Sequence, residues 1–191
     1  MADSEMIDEL LADARERMSK SVESIRHEFG SVRTGRASPA LLDRIAVDYY
    51  GTATPLKQLA TISAPEARLL TIQPYDKSSI KAIERSILES DVGLTPSNDG
   101  NLIRLAVPEL TEERRKDLVK HMHKVLENHR TAVRNIRRDI KEAVEKLEKD
   151  KKISEDEKKR SLDELEKLTH SETKKIEDLA AAKEKEVLEM K

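Results

Sequence analysis

Residues 111–150 contain neither Gly nor Pro, and their apolar side chains recur in steps of three and four. Leu118, Met122, Val125, His129, Ala132/Val133, Ile136, Ile140, Ala143/Val144 and Leu147 form that row. A period sustained over about 40 positions predicts one long α-helix with a single apolar seam. Such a seam must be covered by other helices, so this stretch dictates a helical bundle. Thr111 is a good N-cap, and Glu112 and Glu113 fall in the first turn, where the helix dipole favours acids.

Two further segments supply the cover. Ile7, Leu11, Ala14, Met18, Val22, Ile25 and Phe29 repeat at helical spacing in a segment starting after Asp3 or Ser4 and ending near Gly30. Ser154 to Glu157 reads as a Ser-x-x-Glu capping box, followed by a buried face of Leu162, Leu165, Leu168, Ile176, Leu179, Ala180, Val187 and Met190. The short connection at 151–153 forces the second and third helices to run antiparallel. A composition with 2% aromatic residues, 39% charged residues and no Trp suits such narrow packing and argues against a wide core.

All 5 Gly and all 6 Pro lie between Gly30 and Pro108, so a differently built unit is inserted there. Ile45, Val47 and Tyr49 alternate as a strand, Leu70 and Ile72 as a second, and residues 102–107 make a third. Residues 76–90 read as a short helix using Ile80, Ile83 and Ile87. The expected fold class is α+β, with a discontinuous three-helix bundle (1–30 and 108–191) and a small β/α/β domain (31–107). Two short connections, near Gly30 to Gly35 and near Val107 through Pro108 to Leu110, can act as a hinge.

Charge singles out one surface. Residues 111–150 carry 12 Lys and Arg against 9 Asp and Glu, while no other part of the chain is net basic. Arg130, Arg134, Arg137 and Lys141 share a stripe on the helical wheel well off the seam, and Arg138 widens it. Two readings of the stripe stand: a solvated bundle flank, or a contact surface for a polyanion. The preference for Arg over Lys suits the second, because a guanidinium grips phosphate bidentately and stacks on bases.

Catalytic and cofactor patterns are missing. There is no Cys, hence no disulfide framework, thiolate chemistry or zinc cluster, and a reducing compartment is expected. His121, His123 and His129 lie in or beside the seam without a carboxylate set or an HExxH pattern, so no metal site is expected. Residues 30–36 have two glycines but lack the GK[ST] ending of a phosphate loop. No catalytic residue, cofactor or small-molecule substrate is therefore expected. With no leader-like N-terminus and no membrane span, the chain reads as cytoplasmic and makes no membrane contact.

Arg33-Thr34-Gly35-Arg36-Ala37-Ser38-Pro39, Tyr49-Tyr50-Gly51, residues 110–115, residues 133–139 and Ile153-Ser154-Glu155-Asp156 resemble the bacterial ribosome recycling factor family in order and spacing. The resemblance covers essentially the whole chain. It implies an L-shaped, monomeric protein that binds the post-termination ribosome and, with elongation factor G and GTP, splits it into subunits. It also places Arg134, Asn135, Arg137 and Arg138 on the family's motif facing large-subunit rRNA, and Arg33, Gly35 and Arg36 on its junction motif. The competing reading is a coiled-coil scaffold or RNA-binding interaction protein, which would self-associate through its seams or ignore rRNA.

Overall fold

The computed structural model describes residues 2–189. Its elements, in order, are α1 (Ala2–Gly30), β1 (Ala46–Tyr49), β2 (Thr52–Pro55), α2 (Leu56–Leu59), β3 (Ala60–Glu66), β4 (Leu69–Pro74), α3 (Ile80–Glu89), β5 (Pro96–Asn98), β6 (Ile103–Ala106), α4 (Glu112–Lys149) and α5 (Glu155–Glu189). Short 3-10 turns occupy Pro39–Leu42 and Lys77–Ser79. The chain divides into two compact units, Met1–Phe29 with Val119–Glu184, and Gly30–Leu118 with Lys185–Lys191.

The first unit is the bundle. α1 buries Ile7, Ala14, Met18, Val22, Ile25 and Phe29, and α4 buries Met122, Val125, Val133, Ile136, Ile140 and Val144. Side-chain pairs fix the directions. Along α4, residues 123, 130, 137 and 148 meet 184, 177, 166 and 158 of α5, so the two helices run antiparallel. Residues 139 and 129 meet 17 and 28 of α1, which makes that pair antiparallel as well.

The turn between α4 and α5 is held at both ends. Lys151 takes a positive φ of 56°, and the amides of Lys152 and Lys151 donate to the carbonyls of Leu147 and Glu148, both at 2.9 Å. This is a Schellman ending built without glycine. On the other side the Glu157 amide donates to Ser154 Oγ at 3.1 Å and the Ser154 amide to Glu157 Oε2 at 2.7 Å, which is the capping box expected from the sequence.

The buried row of α5 differs from the apolar letters of its sequence. Ser161, Leu165, Thr169, Glu172, Ile176, Ala180 and Val187 are buried, while Leu162, Leu168 and Leu179 are only half-buried. Two of the polar members satisfy themselves locally: Ser161 Oγ donates to the Glu157 carbonyl at 2.6 Å and Thr169 Oγ1 to that of Leu165 at 2.7 Å. Glu172 accepts from Lys175 Nζ at 2.7 Å. Met190, expected on the same face, lies outside the described residues. α1 starts at Ala2, slightly earlier than expected.

Among the described residues the second unit holds six strands, where three were expected. β1 and β2 form a hairpin whose two-residue turn, Tyr50-Gly51, has φ of 50° and 81°, a type I′ geometry that matches strand twist. The other four form an antiparallel sheet in the order β3-β4-β6-β5. Pro65 lies in the edge strand β3, where a missing amide costs no ladder bond, beside a register shift between Ser63 and Glu66. Leu42, Val47, Leu56, Leu70, Ile72, Ile83, Ile87, Ile103 and Leu105 make the core beneath α3.

Pieces of the two long helices join this unit, the first turns of α4 and the last turn of α5. Val187 is fully buried, and Thr34, 1% exposed, donates through Oγ1 to Glu186 Oε1 at 2.9 Å.

Candidate nucleic-acid interface

The basic stripe stands on the outer flank of α4 because the seam, about a third of a turn away, is taken up by α1 and α5. Arg134, Asn135, Arg138 and Lys141 are exposed, and Arg130 and Arg137 are half-buried. All six candidate residues therefore share one helix over three turns. Their surroundings divide them.

Arg130 Nη2 donates to Glu177 of α5 at 2.8 Å and its Nη1 to Glu127, and these two carboxylates raise its pKa above the ordinary value. Arg137 Nη1 donates to Glu166 of α5 at 3.2 Å. Lys141 approaches Glu145 at 4.0 Å, and Arg134 approaches Glu127 at 3.9 Å, the outer limit of an ion pair. Among the described residues the Arg138 side chain makes no ion pair or hydrogen bond. Asp139, the acid inside the run, accepts from Arg17 Nη2 of α1 at 3.0 Å. An outward phosphate would thus meet Arg134 and Arg138 first.

The sequence did not point to Glu127, Glu166 and Glu177 as neighbours of the stripe. Glu127 was visible in principle, one turn before Arg130. Glu166 and Glu177 required the α4–α5 register, which the tight turn fixes: pairing through it sets residue numbers that sum to about 306 opposite one another.

The histidines take structural places. His129 lies in the seam with Ser21 Oγ at 3.0 Å from Nδ1 and Glu28 Oε1 at 3.3 Å from Nε2. A carboxylate only accepts, so the contact with Glu28 is made by an Nε2–H of His129. His123 lies 3.4 Å from Glu184, and His121 is exposed.

The junction residues all lie at the start of the second unit or within it. Gly30 ends α1, and Arg33 Nη1 donates to the Gly93 carbonyl at 3.5 Å. Gly35 is buried at φ 84°, and a Cβ there would lie 3.5 Å from Leu110 Cγ and 3.9 Å from the Pro108 carbonyl oxygen. The segments 30–36 and 107–110 therefore pack side by side. The Val107 amide donates to the Arg68 carbonyl at 2.8 Å, while Arg36 and Pro108 are exposed. Among the described residues no helix is long and apolar enough to cross a membrane.

Comparison with known proteins places this geometry. The profile of the ribosome recycling factor family matches residues 25–188. The chain is 55% identical to the ribosome-recycling factor of Carboxydothermus hydrogenoformans over 183 residues, covering 96% of this chain and 99% of that protein. The factor of Shouchella clausii is 52% identical over 185 residues, covering 97% and 100%. A solution structure of a ribosome recycling factor superposes with a TM-score of 0.79 at 46% identity, over 95% of this chain and 97% of that one. A second structure, the T. thermophilus factor described with the E. coli elongation factor G bound to the E. coli post-termination complex, gives a TM-score of 0.69 at 46% identity, over 95% and 98%. With identity above one half along nearly its whole length and the family profile spanning most of its residues, the chain belongs to the ribosome recycling factor family.

Proposed function

We propose that this chain binds the post-termination ribosome and, together with elongation factor G and its GTP hydrolysis, splits it into subunits, freeing mRNA and tRNA. The α4 stripe is the surface that meets large-subunit rRNA, with Arg134 and Arg138 as leading contacts and Arg130, Asn135, Arg137 and Lys141 completing it. The observation carrying this reading is the exposed pair Arg134 and Arg138 on a helix that buries Met122, Val125, Val133, Ile136, Ile140 and Val144 in the bundle. The related factor bound with elongation factor G on a post-termination complex supports the choice of partners.

On this reading the protein carries no catalytic group or cofactor, takes no small-molecule substrate, and acts as a cytoplasmic monomer. Domain boundaries near 30 and 108, and freedom at Gly30, Arg33, Gly35, Arg36, Val107 and Pro108, serve splitting rather than docking. The test is light scattering of post-termination ribosomes mixed with the protein, elongation factor G and GTP. Splitting by the wild type and its loss in the Arg134→Ala/Arg138→Ala double variant are expected. Failure of the wild type to split ribosomes, or full activity of the double variant, would overturn the assignment.

A further inference from the structure

The arginines of α4 fall into two classes. Arg134 and Arg138 are exposed, one loosely paired and the other without an ion pair among the described residues. Arg130 and Arg137 are half-buried and already hold carboxylates of α5, Glu177 at 2.8 Å and Glu166 at 3.2 Å. A guanidinium N–H that donates to a carboxylate cannot give the same hydrogen to a phosphate. Each guanidinium has five N–H groups, so a ligand reaching Arg130 or Arg137 either displaces a glutamate or binds beside it, and in both cases the carboxylate stays near the incoming anion and weakens the contact.

We infer that Glu166 and Glu177 are specificity-determining residues, internal competitors that hold Arg137 and Arg130 back from any anion too weak to displace them. The inference rests on the reading of the stripe as the rRNA-facing surface. A single phosphate gains one contact and loses most of it to the competitor. An ordered phosphate backbone lying along Arg134, Arg138 and Lys141 gains several contacts together and displaces both glutamates. The stripe is therefore selective for structured RNA although its sequence would suit any polyanion. Asp139 plays no such part, since Arg17 of α1 holds it at 3.0 Å.

The experiment measures binding of the full chain to purified large subunits and to oligouridylate across a salt series. Exposed pairs of this kind weaken a competing contact by about two- to five-fold. Glu166→Gln is expected to bind subunits about threefold more tightly and oligouridylate by a larger factor, so the ratio between the two falls. The gain is expected to vanish in an Arg137→Ala background. Glu164→Gln makes the same charge change at an exposed α5 glutamate that has no ion pair among the described residues, and is expected to give a smaller gain. Glu177→Gln repeats the test through Arg130, and thermal melting of each variant checks the fold.

Unchanged or weaker binding by both Gln variants, a gain that persists without Arg137, or an equal gain from Glu164→Gln would overturn the inference while leaving the surface assignment intact. Wild-type binding by Arg134→Ala/Arg138→Ala would instead remove the surface, and the inference with it.

Discussion

Arg134 and Arg137 stand three positions apart on one helix, yet only Arg137 holds a carboxylate of α5, Glu166 at 3.2 Å. Arg134→Ala removes an exposed side chain off the seam, so it is expected to change stability by no more than about 0.5 kcal/mol. It is also expected to weaken binding to large subunits about tenfold and to lower the salt dependence by about one counterion. Chemical melting beside co-sedimentation checks both; a matching loss in the two would make Arg134 structural. Asp99 supplies a pH-dependent residue in the other unit. Its carboxylate accepts from the Asn101 and Leu102 amides and from Arg104, which lowers its pKa from 3.8 to about 2. A depressed folded pKa means the contribution is fully present above the ordinary value and is lost as pH falls from about 4 towards 2. Carboxyl NMR titration should show a midpoint near 2, and Asp99→Asn should remove this part of the acid sensitivity. The stripe was legible from the sequence because helical period alone puts Arg130, Arg134, Arg137 and Lys141 together. Its competitors were not, because they belong to another helix and come into reach only through the register of packing.

At the scale of elements, the long helices show where periodicity suffices and where it misleads. Buried positions on α1 and α4 follow their apolar letters closely, since nearly every seam position there is apolar. On α5 the row is interrupted by Ser161, Thr169 and Glu172, whose hydroxyls and carboxylate are satisfied within the helix, so composition hid a spacing that geometry kept. β2, β3 and β5 escaped for a related reason: residues 52–55, 60–66 and 96–98 lack strict apolar alternation and owe their strand form to neighbours that pair with them. The caps at Thr111 and Ser154, by contrast, were legible because their chemistry is local. Ser154→Ala is expected to cost about 1 kcal/mol by removing the acceptor for the Glu157 amide. Lys151→Gly should do the opposite, raising stability by about 0.5–1 kcal/mol, because it relieves a left-handed residue at the Schellman position. Denaturant midpoints at constant slope measure both; a Lys151→Gly variant that loses stability would show that the lysine side chain contributes more than its backbone strain costs.

Across the whole molecule the narrow place is Gly35. Proline there would require φ near about −65°, some 150° from the observed 84°, so it would break the segment rather than stiffen it. Gly35→Ala is the informative change: a Cβ would make ordinary contact at 3.5 Å, and the cost of about 1–2 kcal/mol comes from the left-handed backbone. Melting should show that loss while subunit binding stays near normal; a collapse of binding would place the 30–36 segment in the RNA contact. The partition of the chain has another consequence. Both units are stitched from distant pieces, the bundle needing α1 together with α4 and α5, and the second unit taking in the residues from Lys185 onward. A chain made from its N-terminus at about 5–20 residues per second leaves α1 without partners for on the order of ten seconds. Met18, Ile25 and Phe29, sealed in the finished protein, spend that time in water. The core of the second unit lies within residues 37–107, but the bundle cannot close until α5 emerges, so a protein assigned to dismantling spent ribosomes leaves its own apolar seams uncovered for much of its passage through one.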